Sequence, residues 1–308
     1  MVKFRMKNKI LVVITFLVMS AAVIFSGYDM QKAAATGGTD YVKYTYATGQ
    51  TQTYTLPEIP IYNNYLNTRS SINFDDNRAD ADITPLVVKT ISNSSNPDYQ
   101  GNTTSNGTGF IIGDHEIMTA AHCAYNTKMG KPYYSMKVKI NVPESSDNSV
   151  SVRTLTVVSA HFPKEFKDYH DANPSNVGTQ DQIKWDYAIL TVQEDLSGYG
   201  KLNLGAVTYD IKNNVPVHVL GYNTSALKIS NGVVNAINDD IFGVTAYTTS
   251  GTSGGPIYVE SLFGVPGVTS GDYKIQTYKT VIGLCSAGSY SSRFDSETLQ
   301  FAYDNEYL

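Results

Sequence analysis

Gly251-Thr252-Ser253-Gly254-Gly255-Pro256, running straight into the apolar Ile257-Tyr258-Val259, is the stretch on which the reading of this chain turns. Glycines on both sides of a serine let the backbone turn tightly and aim its N–H groups at a carbonyl lying against the hydroxyl, which larger side chains would obstruct. Taken alone it is equally an ordinary Gly-rich turn, since the 308 residues include 24 glycines. A serine hydroxyl becomes a nucleophile only when a base takes its proton, and that base needs a carboxylate to fix its tautomer and stabilise its charged form. Candidates for both lie upstream. Thr119-Ala120-Ala121-His122-Cys123 follows the apolar runs 110–112 and 117–118, and in Trp185-Asp186-Tyr187-Ala188-Ile189-Leu190 an acidic residue opens a strand that otherwise reads as buried. The order is His, Asp, Ser, with steps of 64 and 67 residues.

These three blocks resemble the catalytic segments of chymotrypsin-like serine proteases in identity, order and distance. The resemblance implies an all-β fold of two six-stranded antiparallel β-barrels with a C-terminal helix, His122 and Asp186 on the first barrel and Ser253 on the second. It also implies roles. Ser253 attacks the scissile carbonyl, His122 takes and later returns the proton, Asp186 holds the imidazole, and the N–H groups of Gly251 and Ser253 form the oxyanion hole. Ser286, in Cys285-Ser286-Ala287-Gly288, matches the serine that supports the triad Asp and begins the strand on which substrate backbone pairs. Two other serine hydrolases fit less well. Residues 251–255 satisfy the nucleophile-elbow pattern of α/β-hydrolases, but that fold places its His after the serine, and none follows Ser253. The subtilisin order needs an Asp before the His, which Asp114 could supply, but nothing reads as repeated βαβ. His161 and His218 have no such block around them and read as surface or strand residues.

A shorter block, Ser71-Ile72-Asn73-Phe74-Asp75-Asp76-Asn77-Arg78 just after Arg69, resembles the mature amino terminus of the glutamyl endopeptidases of Gram-positive bacteria. It implies processing between Arg69 and Ser71, and makes Thr248 the match to a threonine that holds a substrate carboxylate. The family also puts the residue six before the nucleophile, here Tyr247, at the base of the primary pocket, so no buried carboxylate selects Lys or Arg. Where that branch carries a pocket histidine this chain has Cys285, and a thiol is no strong donor. The resemblance to that branch implies a free amino terminus near Ser71 as the source of part of the positive charge. An acidic (Glu) P1 preference and a preference for other side chains both stay open. So does a secreted binding or toxin-like homologue with restricted or no proteolytic activity. Thr252, rather than an Asp, precedes the nucleophile, so the buried salt bridge of trypsin activation cannot form.

Lys3, Arg5, Lys7 and Lys9 precede a largely apolar run from Ile10 to Phe25 followed by small residues, which reads as a secretory signal peptide; the run is short for a membrane span of roughly 20 residues. We expect 1–35 to be signal peptide, 36–70 a propeptide without sustained period, 71–200 the first barrel, and 201–308 the second barrel with its helix over 296–305. Residues 163–180 read as a polar specificity or surface loop. The segment before Ser70 holds seven of the 23 basic and three of the 28 acidic residues, so the chain from Ser70 onward carries 16 against 25, a net of −9. That excludes the basic face a nucleic-acid partner calls for. No metal-ligand spacing or phosphate-binding loop is present, so no cofactor is expected. Cys123 and Cys285 are the only cysteines, and the family partner of Cys123 has no counterpart upstream; free thiols are favoured over a pair. The expected product is a monomer secreted from a Gram-positive bacterium, with protein or peptide substrates, a separate processing protease, and no membrane contact beyond the signal peptide.

Overall fold

Short β-branched and aromatic runs between Gly, Asn, Asp and Pro become strands. In the first half these are β1 (Gly38–Thr45), β2 (Gln50–Pro57), β3 (Val87–Asn93), β4 (Thr104–Ile111), β5 (Glu116–Thr119), β6 (Tyr125–Asn126), β7 (Lys131–Pro132), β8 (Ser135–Pro143), β9 (Val150–Pro163) and β10 (Ala188–Val192). The second half holds β11 (Asn203–Leu204), β12 (Pro216–Asn223), β13 (Ala226–Ile237), β14 (Ile241–Val244), β15 (Pro256–Pro266), β16 (Tyr273–Ala287) and β17 (Tyr290–Arg293). Among the described residues the helices are α1 (Ala121–Ala124), α2 (Lys164–Ala172), α3 (Gln180–Lys184) and α4 (Ser296–Glu306). This computed structural model describes residues 38–57, 87–93, 104–143, 150–173, 180–205, 213–223, 226–238, 241–266 and 273–306. The expected signal peptide, the Arg69–Ser71 processing site and the 71–78 block lie outside them.

The first sheet runs β10-β5-β4-β3-β8-β9 and closes on itself because β9 also pairs with β10. The second runs β16-β15-β12-β13-β14-β17 and closes through β16 and β17. Each is a closed six-stranded antiparallel barrel, as expected, and closure removes the open edges that strands otherwise present. Phe110, Met118, Val138, Leu155 and Leu190 fill the first barrel; Val217, Val234, Phe242, Ile257 and Ile282 fill the second. The terminal helix forms where the Gly- and Pro-free 296–305 pattern placed it.

Two segments differ from the sequence reading. Residues 164–172 are not loop but helix α2, started by Pro163 and braced by i,i+4 ion pairs of Lys164 with Asp168 and Lys167 with Asp171. Its buried stripe is only Phe166 and His170, too short and too polar to show as a helical period. Residues 38–57, read as part of an extended propeptide, form the hairpin β1–β2, and β1 adds to the outer side of β9. The adjacent Tyr41 and Val42 are both buried, so the alternation that marks a half-buried strand is missing from this one.

Candidate active site

Strand β5 ends at Thr119, and Ala120 turns the chain into the single turn α1, which carries His122 beyond the barrel rim. Asp186 comes from the turn between α3 and β10. Its Oδ1 accepts the His122 backbone N–H at 2.9 Å and its Oδ2 faces His122 Nδ1 at 2.7 Å. A carboxylate only accepts, so Nδ1 carries the proton and Nε2 is left with its lone pair for a hydroxyl. The second barrel completes the arrangement around Asp186. The Ser286 hydroxyl donates to Asp186 Oδ2, and the buried Ser292 hydroxyl lies 2.5 Å from the Ile183 carbonyl and 3.2 Å from that of Asp186. The aspartate, 3% exposed, is thus oriented by groups from both barrels.

Burial alone would raise the Asp186 pKa, but the imidazole and the donors on it win and hold the carboxyl below its usual range. Burial likewise acts to lower the His122 pKa, and the Asp186 carboxylate overcomes it, leaving the imidazole well above its ordinary value. The ring itself is about a third exposed, 31%, on its open side.

Ser253 sits on the turn before β15. Gly251 (φ 99°) and Gly254 (φ 81°) on either side adopt the left-handed region that other residues avoid. A Cβ on Gly254 would also collide with the Thr108 carbonyl and lie 2.7 Å from the Ala120 nitrogen. The turn is locked to the second barrel by Gly254 N–H to Cys285 O at 2.7 Å and Cys285 N–H to Gly255 O at 3.0 Å. It is locked to the first barrel by Thr108, whose N–H donates to the Ser253 carbonyl at 2.8 Å and whose hydroxyl donates to the Gly251 carbonyl at 2.7 Å. That hydroxyl also accepts the Tyr222 N–H at 2.8 Å. Among the described residues the N–H groups of Gly251 and Ser253 donate to no protein acceptor, and the Ser253 hydroxyl has no hydrogen bond to His122.

A cavity of about 550 Å³ opens beside His122, and its lining includes Asn126, Tyr133, Phe166, His170, Ser286 and Ala287. Phe166 and His170 belong to α2, from the stretch read as a specificity or surface loop. Of the pocket residues named from sequence, Thr248 donates its hydroxyl to the Gly288 carbonyl at 2.6 Å. Cys285 is buried, and burial pushes its thiol pKa up to about 12. Tyr247 needs correction: its ring is 75% exposed, so it does not close the base of a pocket. Both cysteines are free and buried. Among the described residues no group of three His, Cys, Asp or Glu side chains is placed to hold a metal ion. Thr108 and Ser292, which hold the segments around Ser253 and Asp186 in place, were missed. A lone threonine or serine inside a strand carries no signal in a single sequence.

A family model described as a trypsin-like peptidase domain matches residues 107–261, from the glycine beside Thr108 to beyond the nucleophile turn. The chain belongs to this trypsin-like peptidase family. Among solved structures, a Glu endopeptidase in complex with MPD shares the fold at TM-score 0.50 and 15% identity, covering 75% of this chain and 95% of that one. More distant are Deg5, at 0.40 and 14% over 68% and 84% of the two chains, and the active form of the protease Rv3671c from M. tuberculosis, at 0.43 and 17% over 73% and 82%. The peptidase is a serine endopeptidase, and its substrates are proteins or peptides.

Proposed function

We propose that the peptidase is an exported enzyme in which Ser253, His122 and Asp186 cut peptide bonds through an acyl-enzyme. The observation that carries this is the His122–Asp186 pair: a buried carboxylate bonded to both the backbone and Nδ1 of one histidine leaves Nε2 as a general base. Ser253 lies across the barrel junction, with its carbonyl held by Thr108. As His122 Nε2 takes the hydroxyl proton, Oγ bonds to the substrate carbonyl carbon, and the resulting oxyanion faces the unengaged N–H groups of Gly251 and Ser253. Each such donor is worth roughly 10²-fold in rate. The proton then passes to the leaving amine, and water repeats the sequence on the acyl-enzyme. Labelling by an organophosphate tests this: reaction at Ser253 alone, abolished by Ser253→Ala, is expected, and an unreactive serine in folded protein would instead favour a binding homologue of the fold.

The primary pocket takes an acidic residue in this proposal only after processing. The Thr248 proton is committed to Gly288 and the Cys285 thiol is neutral, so these groups supply no charge to offset a buried carboxylate. A free amino terminus created between Arg69 and Ser71 would. Cleavage of a Glu-containing peptide library by the processed chain but not by the unprocessed one is the expected result. The same cleavage by both forms would rule this out.

A further inference from the structure

Strand β9 is longer than its neighbour. β8 pairs with it only from Pro143 and Val150 to Lys137 and Thr156, which would leave the outer side of residues 157–163 bare. β1 takes that side, pairing from Thr45 and Ser159 to Tyr41 and Pro163, and Tyr46 N–H continues the ladder to the Val158 carbonyl at 3.0 Å. Side chains seal the junction. Tyr41 and Val42 are 1% and 2% exposed, and the Tyr41 ring stacks on Phe301 of α4 with centroids 4.3 Å apart and 10° between planes. Phe301 in turn lies 5.4 Å from the ring of Tyr187, the residue after Asp186. From β2, the Tyr54 hydroxyl faces His161 Nδ1 at 3.1 Å and donates to Asn305 Oδ1 of α4 at 3.1 Å.

This hairpin lies in the part of the chain that processing at Arg69–Ser71 would sever. Cutting one peptide bond there removes the tether but none of these contacts. We infer that residues 38–57 stay bound after the cut as a second, non-covalent chain, whose docking surface is the outer side of β9 together with α4. The Tyr41–Phe301–Tyr187 stack gives the retained hairpin a further part to play. It braces the segment that holds Asp186, which makes Tyr41 a positioning residue for the triad.

The test does not need the natural processing site or any activity. A recognition sequence for a site-specific viral protease is placed after Arg69 in the full chain carrying Ser253→Ala, the chain is cut to completion, and the product is passed over gel filtration and weighed by mass spectrometry. Both fragments are expected in one peak at equal amounts. Tyr54→Phe, which keeps the ring and loses the two polar contacts, is expected to lower retention several-fold, and Tyr41→Ala at least tenfold. Thr53→Ala, at an exposed position of β2, should change nothing. An amino-terminal fragment that elutes alone from the otherwise unsubstituted cut chain overturns the proposal. In the active chain, Tyr41→Ala is expected to lower kcat more than KM and to move the acid limb of the pH profile; an unchanged kcat would overturn the positioning role.

Discussion

Replacing Thr108 with valine keeps the branched shape of the side chain and removes a single hydroxyl, one that spans the two barrels. Thr108 is fully buried. Its hydroxyl donates to the Gly251 carbonyl at 2.7 Å and accepts the Tyr222 N–H at 2.8 Å, both bonds out of water. Valine therefore orphans one buried acceptor and one buried donor. At about 1–3 kcal/mol for each, the expected loss is about 2–6 kcal/mol of stability, a large share of what holds a domain folded. The main-chain bond from Thr108 to the Ser253 carbonyl survives, so the Ser253 turn should remain in place but loosen at Gly251, one of the two proposed oxyanion donors. Urea unfolding measures the first effect and the second-order rate of organophosphate labelling the second. We expect labelling to slow at least tenfold in Thr108→Val and to stay near the parent rate in Thr108→Ser, which keeps the hydroxyl. A valine variant within about 0.5 kcal/mol of the parent, with the same labelling rate, would refute the view that this hydroxyl clamps the catalytic turn.

The geometry carries three further expected outcomes. His122 must be neutral to act as base, and its raised pKa places the acid limb of kcat/KM above pH 6.5; Asp186→Asn should lower kcat roughly 10⁴-fold and shift that limb to lower pH, which a pH–rate series would show. His161 behaves oppositely, since burial and the nearby Lys43 hold its pKa down to about 3: its contribution to stability is complete above about pH 6.5, where the unfolded imidazole is also neutral, and is lost as pH falls toward 3. By pH 5 that loss is about 2 kcal/mol, and urea midpoints at pH 7 and pH 5 should converge by that amount in His161→Gln; an undiminished pH dependence in the variant would count against it. Finally, a Cβ on Gly107 would lie 2.5 Å from Cys123 Sγ, so Gly107→Cys is expected to form a disulfide after a small shift. Closing a loop of roughly 15 residues contributes about 3 kcal/mol, visible as a raised melting temperature that reductant abolishes.

The candidate triad residues could be picked out because nucleophilic catalysis demands particular residue types with particular neighbours, and those neighbours are contiguous in the chain: Ala120-Ala121 before His122, Tyr187-Ala188 after Asp186, glycines around Ser253. The groups that hold these segments to one another were not legible. Thr108 reaches Gly251, and Ser292 reaches Ile183 and Asp186, across separations of more than a hundred residues, and nothing local distinguishes these from any strand hydroxyl. The exposure of Tyr247 escaped for the same reason, since distance along the chain from the nucleophile does not set the direction of a ring. Helix α2 was hidden by having only two inward residues, one of them a histidine that hydrogen-bonds Gln182.

By itself the sequence determined the all-β class and the terminal helix, and it singled out His122, Asp186 and Ser253 as the candidates for the chemistry, because residue type and short-range pattern are properties a chain carries unfolded. Only the tertiary structure decided that residues 38–57 form a hairpin docked on the outside of the first barrel. Their burial depends on the side of β9 that β8 leaves open and on Phe301 of α4, more than 100 residues away, and a strand has no partner until the fold supplies one.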